Sequence, residues 1–145
     1  IAHQLALYVV IYSPVQMVAD LVEHYEANPK PLQFIKDVGV DWETTKVLNG
    51  EVGDYVTIVR KERKTGNWFL GSATDENPRE IEIYFSFLDE KSIYEAKIYK
   101  DGKTAHWNDN PLEIEYETLK INKLSKLKFK MAAGGGLAIS MKKKN

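Results

Sequence analysis

Five acidic residues lie close to turn signals: Glu43, Glu51, Asp54, Asp75 and Glu76. Two carboxyls held roughly 5 to 9.5 Å apart could carry glycoside hydrolysis, one as acid and the other as base or nucleophile. Nothing in the spacing of these five sets any pair at such a separation, so they read as surface charge beside turns. The three histidines, His3, His24 and His106, are widely spaced, and none forms a pair with metal-ligand spacing. His3, in an apolar stretch, reads as a packed residue rather than a ligand. There is no cysteine, so disulfides and thiolate metal sites are excluded. No Gly-x-Ser-x-Gly elbow occurs. Gly134-Gly135-Gly136 lacks the lysine and following helix of a phosphate loop, and reads as a bend. The aromatic residues remain. Trp42, Trp68 and Trp107 could supply rings for stacking on sugars, although such rings more often pack in cores or interfaces. Trp68 opens an apolar run and reads as core. Trp107 stands beside a polar loop and is the best candidate for an exposed ring, with Trp42 second. These two are the candidate substrate-binding residues. No catalytic and no metal-ligating residue is assigned.

The elements that would position these groups fall into two regimes. The first forty residues read as helical. Gln4 to Tyr12 is one run, and Ser13-Pro14 looks like an N-cap with proline at the first helical position. That places a second helix through Met17, Leu21 and His24, stopped by Asn28-Pro29-Lys30-Pro31. Leu32 to Asp37 then forms one more short turn of helix. The stretch Leu5 to Val22 is apolar nearly all round, but Ser13, Pro14, Gln16 and Asp20 interrupt it and argue against a membrane span. Such a helix is expected to be buried against partners upstream of residue 1. No basic region precedes it, so it does not read as a signal peptide. The chain opens on Ile1 without an initiator methionine, and is expected to be part of a larger protein.

From Asp41 the apolar period changes to two. Extended runs follow at Thr45–Leu48, Tyr55–Lys61, Trp68–Thr74, Ile81–Phe87, Ser92–Lys100, Glu113–Ile121, Leu127–Met131 and Leu137–Met141. Turn signals separate them, among them Lys64-Thr65-Gly66-Asn67 and a hairpin signal at Asp101-Gly102. About eight strands with short connections predict a mainly β fold, an antiparallel β-sandwich. Twenty basic and 21 acidic residues give a net charge of −1, which supplies no electrostatic reason for a nucleic-acid partner. Lys142-Lys143-Lys144 is then a solvated tail.

Three stretches carry a family likeness: QLALYVVIYSPVQMVAD at 4–20 with FIKDV at 34–38, VDWETTKVLNGEVGDYV at 40–56, and NWFLGSATDE at 67–76 with the glycines at 134–136. In that order and spacing the chain resembles the C-terminal part of glycoside hydrolase family 97, a group of bacterial α-glucosidases and α-galactosidases. The resemblance implies an N-terminal sandwich, a central (β/α)₈ barrel and a C-terminal sandwich. On it, residues 1–39 are the helical tail of the barrel and residues 40–145 the C-terminal β-sandwich. The catalytic glutamates and the carboxylates for the family's calcium ion would then lie upstream of residue 1. The resemblance also implies a periplasmic location. The expected function is an accessory domain that packs on the catalytic barrel of its own polypeptide, supports association with another copy, and has no active site of its own. The alternative is a carbohydrate-binding module that holds an oligosaccharide on Trp107 and Trp42.

Overall fold

The computed structural model describes residues 1–144. Three helices lead in: α1 (Ala2–Val10), α2 (Val22–Glu26) and α3 (Pro29–Asp37). Eight strands follow: β1 (Trp42–Glu51), β2 (Tyr55–Glu62), β3 (Trp68–Thr74), β4 (Arg79–Tyr84), β5 (Ile93–Asp101), β6 (Ile114–Ile121), β7 (Lys126–Met131) and β8 (Gly136–Lys144). Each predicted extended run falls on one of them. A six-stranded antiparallel sheet has the order β1-β2-β3-β8-β5-β6, and β4 pairs with β7 in a separate two-stranded sheet.

The larger sheet buries both faces, and its alternating side chains show how. Trp68 and Leu70 of β3, Ile98 of β5 and Leu137 and Ile139 of β8 point to one side. There they meet Ile81 and Ile83 of β4, Phe85 just beyond it, and Phe129 and Met131 of β7. This is the interior of the sandwich, and Trp68 lies in it as expected, 3% exposed. Phe69, Tyr99 and Ala138 point the other way, to Leu5 and Val9 of α1 and Phe34 of α3. The outer face of β4–β7 carries Glu80 and Glu82 opposite Lys130 and Lys128, the alternation of a solvated sheet face.

The lead-in departs from the expectation in three ways. First, α1 finds its partners downstream, in this same chain: Ala2, Leu5, Ala6 and Val9 are buried, and its cluster is closed by the sheet and α3. Gly71 on β3 permits this contact, because a Cβ there would stand 2.5 Å from the Ala6 carbonyl oxygen and 2.9 Å from Val9 Cβ. Second, no helix starts at Pro14. Residues 12–20 form neither helix nor strand and bend at Pro14, Val15 and Asp20, and the Ser13 hydroxyl, instead of capping a helix, exchanges hydrogen bonds with the Val15 backbone. Third, the prolines after Asn28 begin a helix: Pro29 and Pro31 occupy the first turn of α3, where a missing N–H costs nothing. No described helix is long and apolar enough to cross a membrane.

Two buried tyrosines tie stability to pH. Tyr94 is pushed up to about 12 by burial and by the hydrogen bond it donates to Asp89 (2.9 Å), and Tyr99 up to about 12 by burial and the nearby Asp37. Both folded values lie above the unfolded value of about 10. Their contribution is therefore fully present below pH about 10 and is lost as pH rises through about 12. In an alkaline titration two of the eight tyrosines should ionise last, together with loss of the fold. Eight tyrosines ionising together near pH 10, with the fold intact, would contradict this.

Candidate functional site

Of the five acids of the sequence reading, Asp54 and Asp75 hold turns together. Asp54 and Asp75 share the Arg79 guanidinium, each at 3.6 Å, and that guanidinium lies 4.4 Å above the Tyr55 ring. The group locks the β1–β2 turn to the β3–β4 turn. Asp75 also accepts the backbone and side-chain N–H groups of Asn77, both at 3.0 Å, which with Arg79 hold its carboxyl below the usual range. Glu43 pairs with Lys61 across β1–β2 (3.6 Å), while Glu51 and Glu76 are exposed. None of the five stands in an acid–base arrangement with an orienting partner.

The tryptophans separate. Trp42 is half-buried on the helical side of the sheet, edge-on to Phe69 at 5.9 Å and beside the Arg60 guanidinium. Trp107 is 58% exposed in the loop that joins β5 to β6. This loop runs from residue 102 to 113, so Asp101-Gly102 does not make the two-residue turn its sequence suggested. Asp101 is turned inward instead. Its Oδ2 accepts the backbone N–H groups of Ala132 (2.9 Å) and Gly136 (2.8 Å), fixing the β7–β8 turn, and burial pushes its carboxyl above the usual range. The loop is tied internally. The Asn110 amide donates to Thr104 Oγ1 and Glu113 Oε2, both at 3.0 Å, and His106 lies parallel to the Trp107 ring at 5.9 Å.

Trp107 forms one wall of a cleft of about 730 Å³. The other wall is the lead-in: Gln4 and Tyr8 of α1, Met17, Asp20 and His24. His3 binds the cleft floor, donating from Nδ1 to the Gly135 carbonyl at 2.9 Å. Asp20 Oδ1 accepts from His24 Nδ1 (2.6 Å) and from the Leu21 backbone N–H (2.8 Å), and these bonds hold it below the usual carboxylate range. The sequence reading passed over this pair, because it set His24 in line with Met17 and Leu21 along a helix and took Asp20 as an interruption of the apolar stretch. It also passed over Arg60, which is buried on β2. Its Nε donates to the Val9 carbonyl (2.6 Å), Nη2 to the Val10 carbonyl (3.3 Å) and Nη1 to Thr45 Oγ1 (2.9 Å). A strand residue thus closes the C-terminus of α1, a pairing fifty residues apart that no local pattern announces.

Among the described residues no group of three or more His, Cys, Asp or Glu side chains converges on a point.

Comparison with known proteins places this architecture. The family model described as glycosyl-hydrolase 97 C-terminal, oligomerisation, matches residues 41–142. A retaining alpha-galactosidase of Bacteroides thetaiotaomicron is 40% identical over 139 residues, 96% of this chain and 20% of that protein. Solved structures of a glycoside hydrolase family 97 enzyme from Pseudoalteromonas sp. strain K8, among them complexes with panose and with acarbose, share 49% identity at a TM-score of 0.97. They cover 99% of this chain and 22% of their own. A β-arabinopyranosidase, 24% identical with a TM-score of 0.75 over 96% of this chain and 20% of its own, shares the fold. The chain thus spans about a fifth of the length of these relatives. Eight antiparallel strands behind a helical lead-in, matched along almost their whole length, mean that this chain belongs to glycoside hydrolase family 97, as its C-terminal region.

Proposed function

We propose that the chain is the non-catalytic C-terminal part of an enzyme that hydrolyses α-glycosides. In this reading residues 40–145 are the accessory sandwich, and residues 1–39 join it to the catalytic barrel of the same polypeptide. The observation that carries it is the exposed apolar run before the sandwich. Ile11, Tyr12, Val15, Met17, Val18, Leu21 and Val22 all stand in solvent on one continuous segment. A soluble protein seldom leaves so large an apolar patch uncovered. The matched C-terminal family model begins only at residue 41, so the run lies outside it. The chemistry would come from upstream. An α-glucosidase-like activity is supported by the family 97 enzyme whose complexes contain panose, a sugar with α-glucosidic bonds. The relative named as an alpha-galactosidase supports α-galactosides as the neighbouring choice. The family description supports a role in association with a second copy. Calcium on upstream carboxylates and a periplasmic location rest on the family resemblance. The test is whether the upstream polypeptide shields residues 14–20 from solvent, read by amide hydrogen exchange.

Sugar binding at the sandwich is a second reading, kept by the exposed Trp107 ring on the cleft rim. Trp42 gives it no support, because its ring packs on Phe69.

A further inference from the structure

Four loops close one end of the sandwich, joining β1 to β2, β3 to β4, β5 to β6 and β7 to β8, and hydrogen bonds tie each to the next. The Asp75 N–H donates to the Asp54 carbonyl (2.8 Å), and the Gly134 N–H to the Asp75 carbonyl (2.7 Å). The Trp107 N–H donates to the Ala133 carbonyl (3.3 Å), and the Asp101 carboxylate holds Ala132 and Gly136. Trp107 is fixed on this braced surface although more than half of it is exposed. Gly134 makes room for it: its φ is positive at 63°, and a Cβ there would stand 2.7 Å from the Trp107 Cβ. The His106 ring backs the indole, and its Nδ1 accepts the backbone N–H groups of Asn108 (3.3 Å) and Asp109 (3.4 Å). Ordering a large ring in solvent loses side-chain freedom and gains little from burial, so packing does not account for the arrangement. Side chains held in place on loops by a rigid scaffold are where binding concentrates.

The cleft beside the ring, at about 730 Å³, falls in the range of about 300–1,000 Å³ that small-ligand sites occupy. Its far wall is polar, with Gln4, Asp20, His24 and Asn28. Of the exposed apolar residues in the lead-in, Met17 lines the cleft, while Ile11, Tyr12, Val15, Val18, Leu21 and Val22 lie outside it. The apolar face proposed to meet the upstream polypeptide and the wall opposite Trp107 are therefore different surfaces. Among the described residues no lysine or arginine lines the cleft, so it offers no side-chain cation of that kind to an anionic ligand. A neutral ligand rich in hydroxyls fits better. The face of an indole takes the apolar C–H face of a pyranose ring, and amide, imidazole and carboxylate groups meet the hydroxyls at its edge.

We propose that this cleft binds a neutral α-linked oligosaccharide, with one pyranose ring stacked on Trp107. Trp107 is the residue that touches the sugar, and His106 and Gly134 are positioning residues that hold its ring. The proposal rests on the reading that the polypeptide hydrolyses α-glycosides, which supplies the sugar class. It gives the second reading above a defined site: a braced ring facing a polar wall.

The test is a titration of the ¹⁵N-labelled 145-residue chain with panose, followed by NMR. The Trp107 indole N–H and the amides of Ala133 and Gly134 should shift and saturate, with a Kd on the order of 1 mM. Trp107→Ala should weaken binding about tenfold or more, as loss of one stacking platform does, and Trp107→Phe should keep part of it. If Trp107→Ala does not fold, Trp107→Phe and the position of the shifts in the parent carry the test. Flat spectra, shifts centred away from Trp107, or binding unchanged in Trp107→Ala would each overturn the site. So would a Trp107 indole signal that moves with protein concentration in the absence of sugar and ignores panose, since the ring would then belong to a contact between two copies. Hydrolysis of an aryl α-glycoside by the full-length polypeptide tests the underlying reading separately. Hydrolysis with a flat titration overturns the site alone, and a saturable titration without hydrolysis overturns the assignment to an α-glycoside hydrolase and supports the site.

Discussion

Gly71→Val should detach α1 from the sheet and lower the melting temperature of the chain by about 10 °C or more. The reason is local. Gly71 lies on β3 opposite Ala138 of β8, directly under α1. A side chain there meets the Ala6 carbonyl oxygen at 2.5 Å, the Val9 Cβ at 2.9 Å and the Ala6 carbonyl carbon at 3.3 Å. Two of these three atoms are backbone, so no rotamer change relieves the clash. The helix must move as a body, and Leu5 and Val9, both buried, lose their contact with Phe69. Burying side chains of this size is worth about 1.5–3 kcal/mol each, so partial loss of two with added strain gives about 4 kcal/mol. In a domain of this size that corresponds to a shift of about 8–16 °C. The strands should remain, because the sandwich interior lies on the other face of the sheet. A Tm within 2 °C of the parent would show that α1 is not seated on β3 as described.

Arg60→Ala should cost about 2–4 kcal/mol by a different route. The guanidinium is buried, which pulls it below the usual arginine range, and its three donor atoms are all used. Two of its acceptors are carbonyls at the C-terminal end of α1, where the helix leaves its last carbonyls unpaired and favours a positive charge. Removing the side chain leaves the Val9 carbonyl, which receives the 2.6 Å bond, buried without a donor, and an unmade bond of this kind costs more than a made one gains. Trp42 and Tyr12 would lose the cation beside their rings as well. Arg60→Lys should recover only part of the loss, since one ammonium cannot span Val9, Val10 and Thr45 together. Denaturant midpoints of the two variants and the parent give the order; Arg60→Ala equal to the parent would contradict the capping role.

Most of the sandwich was legible because its residues obey local rules. Ile81 and Ile83 alternate with Glu80 and Glu82, and they become the buried and outer faces of β4. Gly66 ends the β2–β3 turn at a positive φ of 69°, where glycine carries no Cβ penalty. The lead-in was misread where the decisive partners are remote. Ser13-Pro14 satisfies the local signature of a helix start, yet no helix follows: the Ser13 hydroxyl is taken up by the Val15 backbone, and Gln16 and Met17 are tied back to Tyr8. Asp101-Gly102 satisfies the local signature of a tight turn, but the Asp101 carboxylate has two backbone donors 31 and 35 residues away. Trp42 stood second to Trp107 as a candidate ring for sugars; the structure adds that it is half-buried and edge-on to Phe69, a residue of the next strand but one. In each case the missing information was a tertiary contact.

Amide hydrogen exchange across residues 14–20, in the isolated chain and in the full-length polypeptide, tests the central claim most directly. The isolated chain offers these amides no backbone partner, so they should exchange at nearly the free rate. In the full-length polypeptide they should be much slower, because the upstream polypeptide then covers them. Fast exchange in both would contradict the account: the segment would be an exposed linker, and the sandwich would not be joined to the barrel through it.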